Sequence, residues 1–268
     1  MSLTAEQIQQ NWIDFEETIK VYISEPRRSQ LLDFYSKYSE RIMLMPAAHK
    51  KEYHNAFPGG YVDHVLRVVD CALKLNDIWI EMGVDASTYT KEELVFSALN
   101  HDLGKIGDEE NEAYIPQTDQ WRKEKLGEDY KFNDKLEFMS VPDRGLYLLN
   151  KHGIPYTKNE MLAIKLHDGL YDDANKPYLM TWMPETKPRT SLIFIIHQAD
   201  LMAARIEFER EWFPKFKGNL ESQKKDFTLN TNNSKVTTTT KKTPTKTKAL
   251  NNIKSEGLKN VMNDFFKD

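Results

Sequence analysis

The chain has 268 residues, 40% of them apolar and 11% aromatic, which suits one domain with a substantial core plus smaller appendages. The formal net charge of −4 is uneven: residues 228–248 hold five lysines and no acid, residues 249–268 hold three charges of each sign, and residues 1–227 therefore carry −9. So acidic a body argues against non-specific duplex-DNA binding, which needs a basic face, and admits a small anionic substrate if a metal supplies local positive charge.

Apolar residues recur mainly at helical spacing. Residues 5–22 and 28–44 read as helices with Pro26 between them. Residues 61–82 read as a long helix after Pro58-Gly59-Gly60, and residues 90–103 as another, opened by a capping box of Thr90 and Glu93 and ended by Gly104. Residues 105–133 look polar and irregular, residues 143–151 and 157–167 helical, and residues 169–188 a polar loop with three prolines. A long helix over 189–213 is stopped by Pro214. No alternating strand pattern and no internal repeat stands out, so the expected fold is all-α, with residues 1–44 packing on a domain of residues 45–217.

The composition then changes. Residues 218–248 read as a linker whose segment 228–248 has nine threonines and almost nothing apolar, too little to offset the entropy of ordering. Residues 249–268 regain periodicity as a short amphipathic helix carrying Leu250, Ile253, Leu258, Val261, Met262, Phe265 and Phe266. That helix is expected either to dock on a partner protein or to pack on its own domain or a second copy. The single cysteine, Cys71, rules out an intrachain disulfide framework and a cysteine zinc cluster. The first residues lack the basic and apolar stretches of a signal peptide, and the run Leu192 to Ile196 is too short to span a bilayer. A cytoplasmic protein without membrane association is the expectation.

Chemistry concentrates on a few helix faces. In helix 90–103 the apolar stripe of Leu94, Val95, Ala98 and Leu99 runs into Asp102, with His101 beside it; in helix 189–213 Asp200 interrupts the stripe of Ile193, Ile196 and Ala203. His64 sits on the first turn of the helix that follows Gly59-Gly60. Unpaired buried carboxylates are costly, and a divalent cation held by imidazoles and carboxylates removes that cost; two histidines with two aspartates suit a borderline-hard metal. Several neighbours keep two readings. Lys105 is a helix C-terminal charge or a phosphate contact, Arg67 a solvated side chain or a phosphate contact, and His54 a satisfied core residue or a pocket residue. His197 reads as packing or as a bond to a metal ligand, and His49 and His152 as surface residues.

"HDLGK" at 101–105, the upstream "GGYVDHVLRV" and the downstream "HQADLMAAR" together resemble the HD-domain superfamily of metal-dependent phosphohydrolases. "YHNAFPGGYVDH" (53–64) is similar to the entry into the domain in HD-type exoribonucleases and nucleotide hydrolases, and "LYLLNKHGIPYTKNEMLAIKLHDG" (146–169) looks most like a phage-encoded branch, which would make the compartment a host cytoplasm. The resemblance spans about residues 45–213. It implies an HD helical bundle with His64, His101, Asp102 and Asp200 as metal ligands, a divalent cation such as Mn²⁺, Mg²⁺, Co²⁺, Ni²⁺ or Fe²⁺, and hydrolysis of a phosphoester. Asp102 or His167 would accept a proton and Lys105 and Arg67 would face phosphate. Asp168, Tyr171, Asn175 and Lys176 in the following loop are candidates to contact a nucleotide or short oligonucleotide. Two-metal members carry two further histidines; His167 matches the second, while Val141 falls where the first is expected, so one tight ion is expected. Two other classes remain open: an HD-fold di-iron oxygenase, and a binding module with a structural metal. Met262 to Phe266 resembles the hydrophobic half of sliding-clamp-binding peptides, with Lys259 where those carry glutamine, and implies such a clamp as partner.

Overall fold

The computed structural model describes residues 3–50, 53–211, 213 and 214. The expected domain end near 217, the linker 218–248 and the tail helix 249–268 lie outside the described residues.

The all-α expectation holds. Helix α1 (Ala5–Tyr22) begins at a capping box in which Thr4 accepts from the Gln7 backbone and the Gln7 side chain accepts from the Thr4 N–H. The stretch read as one helix over 28–44 is two, α2 (Arg27–Lys37) and α3 (Ser39–Leu44), broken where Tyr38 leaves helical geometry. Helix α4 (Gly60–Glu81) is the long central element, and helix α5 (Lys91–Asn100) has the predicted Thr90–Glu93 capping box. It ends at Asn100, ahead of the expected 103, and a 3-10 turn over Leu103–Ile106 follows. Gly104 in that turn is required by packing: a Cβ there would collide with the backbone carbonyl of Val141. Helix α7 (Val141–Lys151) is capped by Ser140, α8 (Lys158–Lys165) by a Thr157–Glu160 capping box, and α10 (Leu192–Glu211) closes the described part.

Two segments depart from the sequence reading. The region 105–133 contains a small antiparallel pair, β1 (Tyr114–Pro116) with β2 (Tyr130–Phe132), and between the strands a short helix α6 (Gln120–Leu126). Strands of three residues are too short to display alternation. The loop expected over 169–188 contains 3-10 turns and a one-turn helix, α9 (Lys176–Leu179).

One apolar core joins these elements. Phe15, Ile19, Leu31, Phe34 and Tyr35 of α1 and α2 lie in the same buried cluster as Val65 and Val68 of α4, Leu94 and Leu99 of α5, and Ile196 of α10. Helices α4 and α10 run antiparallel: Trp79 near the end of α4 stacks on Phe194 and donates to Gln198, while His64 near its start meets Asp200 and Glu207. Helices α5 and α8 run parallel, because their capping boxes are joined: the Thr157 hydroxyl donates to Glu93 at 2.6 Å. The joined starts and similar lengths carry the two C-terminal ends to the same level of the bundle. No helix among the described residues is long and apolar enough to cross a membrane.

A buried ion pair ties this frame to α2. Arg27 lies over the Phe96 ring, reaches Glu160 at 2.8 Å through Nη1 and Glu92 at 2.5 Å through Nη2; the Glu160 side chain is fully buried. Burial raises the Glu160 pKa despite its partners. Removing the guanidinium leaves that carboxylate uncompensated, so Arg27→Ala is expected to cost about 3–5 kcal/mol of stability in a denaturant titration. An unchanged midpoint would show that the pair does not hold α2 to α5 and α8.

Candidate metal centre

The frame brings four segments to one point. His64 comes from the start of α4, His101 and Asp102 from the end of α5, His167 from just beyond the end of α8, and Asp200 from the middle of α10. The start of α4 is set by Gly59-Gly60: Gly59 has φ +83°, and a Cβ on Gly60 would strike the Asn55 carbonyl. The rings of His64 and His101 lie 5.5 Å apart, those of His101 and His167 5.0 Å, and His54 packs against His64 at 4.6 Å.

Each imidazole is oriented through Nδ1. In His101 it donates to the Ala98 carbonyl and in His167 to the Ile164 carbonyl, both at 2.8 Å, so each ring satisfies a free carbonyl at the end of its own helix. In His64 it donates to Glu207 at 3.0 Å. A carbonyl acceptor fixes the proton on Nδ1 and turns the Nε2 lone pair inward. The Nε2 atoms of His54, His64 and His101 are buried and hydrogen-bonded to nothing. Around them stand carboxylates: Asp200 Oδ1 is 3.2 Å from His64 Nε2 and 3.8 Å from His101 Nε2, and Asp102 Oδ2 is 3.4 Å from His101 Nε2. His167 Nε2 lies 3.6 Å from Asp102 Oδ1 and 3.6 Å from Asp168 Oδ1. These donors form overlapping sets that can hold a metal ion: His54, His64 and Asp102; His64, His101 and Asp200; His101, Asp102 and His167; and His167, Asp168 and Asp200. Orphaned imidazole nitrogens facing buried carboxylates are the donor chemistry of a divalent cation. The negative ends of α5 and α8 point the same way.

The electrostatics describe a place short of positive charge. Burial alone would lower the pKa of His64, but the Glu207 and Asp200 carboxylates overturn that and raise it to about 10. For His167, burial is likewise outweighed, by Asp102 and Asp168, and the value rises to about 9. Burial would raise Asp102 and Asp200, yet Lys105 and His101 hold Asp102 well below the usual range, and His64 and His101 lower Asp200. Protons on imidazole and a metal ion are alternative ways of meeting the same deficit, so they compete.

The four expected ligands His64, His101, Asp102 and Asp200 are thus brought together, with His167 and Asp168 beside them. Lys105 binds Asp102 directly, Nζ to Oδ2 at 2.5 Å. Arg67 is redirected: Nε reaches Glu207 and Nη2 reaches Asp63, both at 3.0 Å, so it anchors the carboxylate behind His64 and is not free for substrate phosphate. Asn175 is also redirected. It is fully buried and donates to the Gly169 carbonyl, while Tyr171 and Lys176 are exposed, Lys176 against Asp173. His197 Nδ1 donates to the His167 carbonyl at 2.7 Å, which pins the backbone of that residue. Val141 opens α7 and brings no donor side chain. Glu207, 1% exposed, escaped the sequence reading, although it falls seven residues after Asp200 on the same face of α10. Asn55 completes the chain behind His64 by donating to Asp63.

Comparison with protein-family models, with curated proteins and with solved structures finds no match.

Two outcomes follow from this geometry. Glu207→Gln keeps the shape but removes the charge that orients His64, and Mn²⁺ affinity by isothermal titration is expected to fall about 10–100-fold; unaltered affinity would show that His64 needs no such support. The second concerns pH. The folded pKa values of His64 and His167 exceed the unfolded value of about 6.5, so their contribution is complete below that pH and is lost as pH rises through about 9 and 10. In a chelator the melting temperature should drop across pH 7 to 10, and saturating Mn²⁺ should flatten the drop. Parallel curves with and without metal would contradict it.

Proposed function

We propose that the chain is a metal-dependent phosphohydrolase of the HD type, acting on a nucleotide or short oligonucleotide. The observation that carries this reading is the convergence of His64 from α4, His101 and Asp102 from the end of α5 and Asp200 from α10, with imidazole Nε2 atoms left without partners at the centre. The order of the motifs in the sequence supports the same reading.

One tight divalent ion would be held by those four residues, with His167 and Asp168 facing substrate or a weaker second ion. When bound, the ion supplies Lewis acidity that activates water and neutralises charge on a phosphoryl oxygen. The chain's own groups do the rest. His167 Nε2 lies between Asp102 and the half-exposed Asp168, 3.6 Å from an oxygen of each, so once a bound ion has displaced its proton His167 would accept a proton from water at Nε2, with Asp168 leading out to solvent. Lys105 keeps Asp102 ionised and offsets negative charge growing beside it. Asp168 and Tyr171 stand at the solvent-facing edge, where substrate arrives.

Asp102→Asn is the test that least disturbs packing. Hydrolysis of nucleotides, cyclic dinucleotides and short RNA or DNA, screened with Mn²⁺, Mg²⁺, Co²⁺ and Ni²⁺, is expected for the wild type and should fall on the order of 10²–10⁴-fold in the variant. Full activity in the variant, or activity indifferent to chelator, would reject the reading. Oxygen consumption with bound iron would favour the oxygenase class instead.

A further inference from the structure

We propose that the aromatic face formed by Phe132 of the β1–β2 pair with His49 and Tyr53 of the segment before α4 is a stacking subsite for a nucleobase of the substrate. This inference rests on the phosphohydrolase reading and narrows its substrate to base-bearing phosphoesters.

The face is built by pairing. Tyr114 and Phe132 are cross-strand partners with ring centroids 5.3 Å apart. The segment before α4 adds to the hairpin edge: the Tyr130 N–H donates to the His49 carbonyl at 3.3 Å, and Lys50 bridges to Glu128. This fixes the His49 ring 4.8 Å from Phe132, 5.4 Å from Tyr53 and 6.2 Å from Tyr114, nearly parallel to the last. A closed minor core would cover these rings. Here Tyr114 is buried, but Phe132 is 62% and Tyr53 50% exposed. A cavity of about 450 Å³ has His49 and Phe132 in its wall, with Gln117 and Lys131 among its polar lining. Tyr130 adds a third ring to the wall, and Arg122, Asp119 and Glu128 add charged groups; aromatic faces beside hydrogen-bonding groups in a cavity of this size suit a flat heteroaromatic ring.

The segment that carries His49 runs on to the metal centre. Five residues after His49, the His54 ring packs on His64. On the other side Tyr114 stands close enough to Lys105 and Asp102 for their charges to act on its phenol, and Lys105 contributes to the lowered pKa of His49, whose main cause is burial. This lowering favours the neutral ring of His49. A nucleotide carries a phosphate beyond its base and sugar, and the cation-seeking cluster with Lys105 would receive it. An aromatic peptide side chain carries no such group.

The test uses the full chain and a dinucleotide carrying 2-aminopurine, whose fluorescence falls on stacking. Binding is expected to quench it, and Phe132→Ala and Tyr53→Ala, both at exposed positions, should relieve the quenching and weaken affinity about tenfold. Affinity for ribose 5-phosphate, which has no base, should be the same in wild type and variants. Absence of quenching, or equal dinucleotide affinity in all three proteins, would overturn the subsite. Metal-dependent hydrolysis of bis(p-nitrophenyl) phosphate by the wild type separates the two claims. If it persists while quenching is absent, the subsite alone fails; if it is absent while base-dependent quenching stands, the subsite holds and the phosphohydrolase reading fails.

Discussion

Asp102 is almost fully buried and ionised, and the cost of keeping that charge away from water organises everything around it. Lys105 from the next turn covers one oxygen, while His101 and His167 approach from the two helix ends. Asp200 adds a second carboxylate with the same need. The imidazoles that surround them are held by backbone carbonyls and by Glu207, so they cannot turn away. The result is a fixed deficit of positive charge, with lone pairs already aimed at its centre.

The rest of the bundle makes this arrangement possible. Joined capping boxes set α5 and α8 side by side, and from that alignment His101 and His167 emerge at one level. The antiparallel packing of α4 on α10 places His64 against Asp200 and, two turns on, Glu207. Behind Glu207 the alternation of charge continues through Arg67, Asp63 and Asn55 to the loop that carries His54. The same loop pairs with the hairpin through His49, so the metal centre and the aromatic face share one support.

The helices were legible where apolar periodicity met a capping residue, as at Thr90–Glu93; Asp102 and Asp200 stood out on apolar stripes, while the full set with His64 and His101 came from the resemblance of the motifs. The break at Tyr38 was not legible, since the apolar pattern continues through it. The hairpin escaped because its strands are too short to alternate and β1 ends in Pro116, which reads as a breaker. Glu207 reads locally as one of several charges near a helix end, and only its alignment with Asp200 betrays it. Arg67 shows the opposite failure. A cation near a metal ligand suggests phosphate, but Asp63, four residues earlier on the helix, is a nearer partner. Asn175 reads as a substrate contact because it lies in a polar loop; it is buried instead, donating to the Gly169 carbonyl, which needs a donor.

The central claim is that these imidazoles and carboxylates converge on one cation. Crystals of the full chain grown with Mn²⁺ and measured near the manganese absorption edge test it most directly. The account predicts an anomalous peak bonded to Nε2 of His64 and of His101 and to oxygens of Asp102 and Asp200. A map without a peak there, with Lys105 and protonated histidines alone neutralising the two aspartates, would contradict it.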